Sequence, residues 1–174
     1  MSSIVKDQVL GEIRYSGEVD AEGQPHGHGE HICLRGAAEG NVYMGQHEHG
    51  VKSGLGMLRR MKDGWIFLVQ YTDNKRQGVG LIVYPDGHMA HAHYVNDLSH
   101  GFFVEAFCSG SLRMGCDVDG KQQGTSLYLH LTGKKEAEEW QAGKLISETT
   151  GILRALDCFP KMSCLCRCRG CAAM

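Results

Sequence analysis

Apolar and polar positions alternate along this chain in short runs, separated by polar segments rich in turn formers. The clearest run is WIFLVQY (65–71), which is followed by TDNKR, by QGVGLIVY (77–84) and by the turn signal Pro85-Asp86-Gly87. Because side chains alternate across a strand, Phe67, Val69 and Tyr71 share one face. The pattern predicts a β-hairpin with one buried face.

The same pattern recurs along the chain at a nearly constant spacing. Gly-x-Gly-like segments recur with spacings of 27, 24, 23 and 23 residues, although the last two rows, HGFF and QGTS, keep only the first glycine. The first glycines are Gly27, Gly54, Gly78, Gly101 and Gly124. A second column lies about ten residues upstream, at Tyr15, Tyr43, Phe67, Ala90, Arg113 and Glu136. Two columns that share one period predict an array of stacked hairpins.

Stacked in register, the rows place like residues side by side on one face. Tyr15, Tyr43 and Phe67 form an aromatic column that ends at Ala90, and Tyr71, Tyr94 and Trp140 continue a neighbouring column. These six aromatic residues are the candidates for a partner-binding face. A column of mostly small residues should give the rings space to lie over the sheet, and it consists of Gly17, Gly45, Val69, Ala92 and Gly115.

These residues resemble a known repeat family. The pattern Y-x-G-x-x-x-x-G-x-x-H-G-x-G, seen in YSGEVDAEGQPHGHG with one extra residue and in YMGQHEHGVKSGLG, looks like the MORN repeat. The resemblance implies an elongated antiparallel sheet of successive hairpins that serves as a binding and scaffolding surface. The segment QYTDNKRQGVGLIVYPDG also resembles the MORN array that precedes the SET domain of a histone lysine methyltransferase, but no length remains here for a SET domain.

The predicted organisation is all-β, with a short C-terminal helix and a flexible tail. It comprises a lead-in at 1–14, a MORN-like array of five to six rows at 15–146, a helix at 147–159 and a Cys/Arg-rich tail at 160–174. The helix prediction rests on Ile152, Leu153, Leu156 and Phe159, which would share one helical face. Such a helix could cover the open end of the sheet or lie on a membrane surface.

Composition and charge narrow the function classes. The net charge of -2 conceals a tail at 158–174 that has three basic residues and no acid, whereas the rest has 15 basic and 20 acidic residues. The net charge is too small to indicate nucleic acid or an acidic substrate as a partner of the whole chain, and the basic tail is set on an acidic body. MSSIVKDQVLGE has no apolar stretch of signal-peptide length, and Ser2 is incompatible with N-myristoylation. The eight cysteines are therefore expected to be reduced thiols of a cytosolic protein.

Ten histidines raise the question of a metal site. Three pairs have i, i+2 spacing, which places both imidazoles on one face of a strand: His26/His28, His47/His49 and His91/His93. Further ligands are available at His31, Cys33 and Cys116. The alternative is that these histidines occupy ordinary repeat and turn positions, and no metal or cofactor is assigned. No nucleophile elbow, HExxH or phosphate loop is present, so the sequence predicts that the chain is not an enzyme.

The tail carries the pattern of a lipid attachment site. Cys171-Ala172-Ala173-Met174 fits a C-a-a-X box whose final Met favours farnesylation of Cys171. One prenyl chain anchors only marginally, and the tail offers further signals: Cys164, Cys166 and Cys168 for palmitoylation, and Lys161, Arg167 and Arg169 for an anionic leaflet. The alternatives are a zinc site formed by these four cysteines or an unmodified tail.

The sequence thus predicts a scaffold or adaptor, lipid-anchored at the cytoplasmic face of a membrane, with the plasma membrane favoured, that binds a protein partner. One alternative is a regulatory subunit of a membrane-associated enzyme. Another is a small zinc-binding protein.

Overall fold

The computed structural model describes residues 3–150 and consists there of a single antiparallel sheet without helices. The strands of this range are Ser3–Leu10 (β1), Ile13–Val19 (β2), Pro25–Cys33 (β3), Val42–Glu48 (β4), Val51–Arg59 (β5), Ile66–Thr72 (β6), Lys75–Val83 (β7), Met89–Val95 (β8), Leu98–Ala106 (β9), Leu112–Val118 (β10), Lys121–Gln122 (β11), Gly124–Leu129 (β12), Lys135–Gln141 (β13) and Lys144–Thr150 (β14). Each strand pairs with its sequence neighbours, except that β11 and β12 do not pair with each other and both pair with β10. The predicted all-β array of successive hairpins is confirmed.

The two ends of the array differ from the sequence prediction. The sequence predicts that residues 1–14 are a lead-in outside the array. In the structure these residues include all of β1, which pairs with β2 and forms one edge of the sheet. The predicted helix is wrong for its first four residues, because 147–150 belong to β14 and pair with β13. The rest of that helix and the entire tail, including Cys171, lie outside the described residues. Within 3–150, no helix is long and apolar enough to cross a bilayer.

One face of the sheet, the inner face, carries the core. Phe67, Val69 and Tyr71 are all at most 4% exposed, whereas Leu68 and Gln70 between them are exposed, so the predicted alternation is confirmed. The main cluster of buried side chains consists of Tyr43, Phe67, Val69, Tyr71, Ile82, Ala90, Ala92, Tyr94 and Phe103. Among the described residues, the core is therefore built on one face of a single sheet.

The two glycines of the Gly-x-Gly pairs in rows one to three have different roles. A Cβ on the second glycine, Gly29 or Gly56, would lie 2.3 Å from the hydroxyl oxygen of Tyr15 or Tyr43. The rings therefore lie directly over these glycines. The first glycines have φ between +66° and +96°, a left-handed conformation that side chains other than glycine rarely adopt: Gly27, Gly54, Gly78, Gly101 and Gly124. The register in the first four of these hairpins shifts beside these glycines.

The predicted neighbouring column of Tyr71, Tyr94 and Trp140 is also confirmed in the register. Tyr71, Tyr94 and Trp140 each pair with the first glycine of the preceding row, at Gly54, Gly78 and Gly124. His47 takes this position opposite Gly27. The backbone bulge of one row thus lies beside a ring of the next row.

The opposite face, the outer face, has a continuous row of mostly apolar side chains. Successive strand pairings align Met44, Met57, Leu68, Leu81, His91, Val104, Met114, Leu127 and Ala137. Met44 and Leu68 are each more than 40% exposed. Side chains of the outer face are thus exposed to solvent on strands whose inner-face side chains are buried.

Candidate binding groove

The inner face opens into a groove between β6 and β10, with a volume of about 540 Å³. The rings of Phe67, Tyr94 and Phe103 line it together with the methyl groups of Ala90 and Ala92, and all five residues are at most 5% exposed. The groove therefore has a closely packed apolar floor.

A local departure from the repeat accounts for the position of this floor. In earlier rows an aromatic ring such as Tyr43 extends over the second glycine of the following strand, Gly56. In the fourth row the aromatic position holds Ala90, and the second-glycine position holds Phe103. The ring is thus supplied by β9 instead of β8, and two methyl groups, those of Ala90 and Ala92, remain on β8.

Three arginine side chains lie over aromatic rings along the groove. The guanidinium carbon of Arg60 is 4.8 Å from the Trp65 ring centroid, and that of Arg76 is 4.7 Å from the Tyr94 centroid. Arg113 lies 5.5 Å from the Phe103 ring. These distances are in the range of cation–π interactions, which strengthen as water is excluded.

Carboxylates hold two of these guanidinium groups within the groove. Arg76 Nε donates to Asp97 Oδ1 at 3.1 Å, and Arg113 Nε donates to Glu105 Oε2 at 2.9 Å. Asp97 and Glu105 line the groove with Asp117, so its cationic and anionic groups balance. The walls can accordingly offer both donors and acceptors to a ligand.

A series of half-buried rings extends from the groove along one end of the strands. Centroid separations between successive rings run from 3.7 to 5.6 Å, and the rings are those of Trp65, Tyr84, His88, Phe107, Tyr128 and His130. Trp65 and Tyr84 also line the groove. Burial raises the pKa of Tyr84 to about 12, so its hydroxyl stays protonated at neutral pH.

A buried polar cluster lies in rows one and two. His31 Nδ1 and His47 Nε2 are 3.1 Å apart, and both residues are at most 6% exposed. Lys52 Nζ lies 5.0 Å from the Tyr43 centroid and 5.7 Å from that of Tyr71. Burial, together with the charge of Lys52, lowers the pKa of His31 to about 3 and that of His47 to about 4. Both imidazoles are therefore neutral at pH 7.

The six aromatic residues predicted as a binding face divide into three groups. Tyr15 and Tyr43 are fully buried, and their hydroxyls donate to the carbonyls of Glu18 (2.6 Å) and Gln46 (2.9 Å), which gives them a structural role. Tyr71 is also buried. Only two of the six, Phe67 and Tyr94, line the groove. Trp140 lies away from the groove and donates its Nε1–H to Glu138 at 2.9 Å.

Sequence reasoning missed the arginines of the groove. Arg113 stands in the column of Tyr15 and Tyr43, two rows after the last aromatic residue of that column, Phe67. Arg76 lies on the strand that begins directly after the Asp73-Asn74 turn. The sequence did contain one indication of these residues. Each is a long cationic side chain at a position that the strand alternation places on the core-facing side of the sheet.

No protein-family model and no curated protein matches the chain. Among solved structures, it is similar to the TCP10 domain of Danio rerio CPAP in complex with a peptide of Danio rerio STIL, with a TM-score of 0.42 and 12% identity over 82% of this chain and 70% of that one. It is also similar to the SAS-4 (dCPAP) TCP domain of Drosophila melanogaster in complex with a proline-rich motif of Ana2 (dSTIL), with a TM-score of 0.40 and 10% identity over 87% of this chain and 90% of that one. Both TM-scores are below 0.5, so neither likeness indicates a ligand for this chain.

Proposed function

We propose that the chain is a MORN-type scaffold that binds an extended segment of a partner protein in the groove of its inner face. The observation that supports this most directly is the groove floor itself, where Ala90 and Ala92 leave space between aromatic rings and two arginines overlie those rings. An apolar cleft with a few well-placed polar groups is the usual form of a binding site.

The dimensions suit a short extended peptide. The groove crosses five strands, β6 to β10, and neighbouring strands are about 4.8 Å apart, so it spans about 19 Å. That length accommodates about six residues of extended chain at ~3.3 Å each. An apolar side chain of the peptide would pack on Ala90 and Ala92, and its flanking polar groups would meet Arg76, Arg113 and Asp117.

The first prediction compares substitutions of two groove residues with substitutions of their sequence neighbours on the opposite face of the sheet. Arg76→Gln and Phe103→Leu should each weaken partner binding by roughly tenfold, because Arg76 and Phe103 line the groove and one contact of the partner with such a group is worth about 1 to 2 kcal/mol. The matched controls Lys75→Gln and Phe102→Leu change exposed positions outside the groove lining and should bind as the wild type does. Trp65 fluorescence, measured in a Trp140→Phe background, reports directly on the groove.

Partners can be collected by affinity purification and then tested as purified proteins and peptides. If binding persists in Arg76→Gln and Phe103→Leu but is lost in Phe102→Leu, the partner uses the outer face and the groove proposal is wrong. A single stoichiometric enzyme among the partners would instead favour the regulatory-subunit interpretation.

We also propose that the tail anchors this scaffold at the cytoplasmic face of a membrane. This half of the proposal rests on the Cys171-Ala172-Ala173-Met174 pattern and the neighbouring basic residues, and it applies to a chain whose last residue in the cell is Met174. A farnesyl group at Cys171 together with acyl groups at Cys164, Cys166 or Cys168 would supply the two signals that stable anchoring requires.

Cys171→Ser should move the protein from the membrane to the soluble fraction. The substitution removes the farnesylation site, and in this proposal acylation of the neighbouring cysteines follows farnesylation. Cys108→Ser, which changes an exposed cysteine of the sheet, should leave fractionation unchanged. The intact mass of the cellular protein tests the modification separately. A Cys171→Ser protein that stays on membranes to the same extent would exclude prenyl anchoring.

A further inference from the structure

Two turns meet at one end of the first rows. The β2–β3 turn starts at Asp20, and the β4–β5 turn contains His49 and Gly50. The backbone N–H of Gly50 donates to the carbonyl of Pro25 at 2.8 Å. His49 Nδ1 lies 2.8 Å from Asp20 Oδ2, which joins residues 29 positions apart.

Three side chains that can ligate a metal converge at this meeting point. One ligand atom from each of Asp20, His26 and His49 lies within 4.8 Å of the other two. The rings of His26 and His49 have centroids 5.0 Å apart. His26 Nδ1 is buried and has no hydrogen-bond partner among the residues that the structure describes. A buried nitrogen without a hydrogen-bond partner costs free energy. A cation bound at the cluster would give this nitrogen a partner that the protein itself does not provide.

The carboxylate of Asp20 is held in place by the turn that it begins. Its Oδ1 accepts hydrogen bonds from the backbone N–H groups of Gln24 at 2.8 Å and Glu22 at 3.2 Å. The other oxygen, Oδ2, lies 2.8 Å from His49 Nδ1. Such outer hydrogen bonds orient metal-binding carboxylates.

His49 is a histidine at a turn position that holds Asp or Asn in the next three hairpins. Its φ is +46°, and the equivalent first turn residues of the next three hairpins are Asp73, Asn96 and Asp119, whose φ values are similar. Asp and Asn tolerate this conformation better than other residues with side chains. The imidazole at residue 49 therefore adds ligand chemistry at a position where turn geometry alone favours Asn or Asp.

We propose that Asp20, His26 and His49 bind a divalent cation of the zinc class. Two imidazoles and one carboxylate are a common zinc ligand set, and tetrahedral bonds of about 2.0 to 2.1 Å place ligand atoms about 3.3 Å apart. The present separations, 2.8 Å between His49 Nδ1 and Asp20 Oδ2 and at most 4.8 Å within the set, bracket that value. The fourth position is open to water, and the bound ion would join the β2–β3 turn to the β4–β5 turn.

The test uses the full-length chain with Cys164, Cys166, Cys168 and Cys171 all replaced by serine, so that tail thiols cannot bind the probe. Zn²⁺ titration by calorimetry should give one site per chain, and Co²⁺ should give a visible spectrum without thiolate charge-transfer bands. Added Zn²⁺ should raise the thermal midpoint, since it binds the folded state.

Two substitutions remove ligands while preserving the fold. Asp20→Asn keeps the acceptor for Gln24 and Glu22, and His49→Asn suits the left-handed turn conformation. Each should lower Zn²⁺ affinity by at least the roughly 10- to 100-fold that loss of an outer-shell partner costs. The double substitution His91→Ala/His93→Ala removes two imidazoles elsewhere and should retain full affinity. The proposal is overturned if the serine-tail protein binds no Zn²⁺, or if Asp20→Asn and His49→Asn bind it as tightly as their parent.

Discussion

Replacement of Gly56 by alanine is expected to destabilise the sheet by about 3 kcal/mol, at the upper end of the range for overpacking. The added Cβ would lie 2.3 to 2.5 Å from the hydroxyl oxygen and two ring carbons of Tyr43, which is itself fully buried. Gly56 does not have a positive φ, so steric overlap and not backbone strain causes the loss. Urea unfolding followed by circular dichroism measures the effect.

The neighbouring substitution Leu55→Ala provides the control, since Leu55 is 56% exposed on the outer face, and its stability should change little. A double-mutant cycle identifies the cause of the Gly56→Ala effect. In a Tyr43→Ala background, where the ring is absent, Gly56→Ala should cost much less. Equal costs in both backgrounds would show that the ring does not depend on this glycine.

Mild acid is expected to destabilise the protein through the His31–His47 pair. Their folded-state pKa values of about 3 and about 4 lie below the usual 6.5, so the unfolded state binds more protons as the pH falls. The stabilisation is fully present above about pH 6.5 and is lost below it, by up to about 2 kcal/mol for each histidine at pH 5. The 3.1 Å hydrogen bond needs one nitrogen without a proton, which doubly protonated rings cannot provide.

The free energy of unfolding measured at pH 7, 6 and 5 checks this prediction. The variant His31→Asn/His47→Gln retains amide donors and acceptors but cannot gain charge, so it should be less stable at pH 7 yet lose less stability toward pH 5. His91→Gln/His93→Gln should follow the wild-type profile. The prediction fails if wild type and His31→Asn/His47→Gln lose stability in parallel between pH 7 and pH 5.

Much of the fold could be predicted because the relevant information is periodic. The spacing of Gly54, Gly78 and Gly101, together with the alternation of Phe67, Val69 and Tyr71, determines the hairpin length and the buried face. The need for small residues beneath the rings was also predictable. The tyrosine rings, however, lie most closely over the second glycine of a Gly-x-Gly pair, as at Gly29 and Gly56, and not over the predicted column of small residues.

The groove could not be predicted, because it depends on which residues pair across strands. The sequence rows show Ala90 and Phe103 at their repeat positions, but only the register shows that Phe103 of β9 lies beside Ala92 of β8. The helix prediction failed at 147–150 for a related reason. Ser147 and Thr150 are residue types that favour helix N-caps, which is a local property, whereas the edge of β13 offers a ladder of hydrogen bonds to the same residues.

The ladder topology also determines how the molecule would respond to a mechanical load. Because each strand is hydrogen-bonded almost only to its sequence neighbours, a pull applied to the chain ends would peel hairpins away one after another from the edges. Each hairpin of about 23 residues would release about 75 to 80 Å of chain at ~3.3 to 3.5 Å per residue. Such a sheet would yield in nearly equal steps, and the rows that had not yet peeled would keep their neighbour contacts.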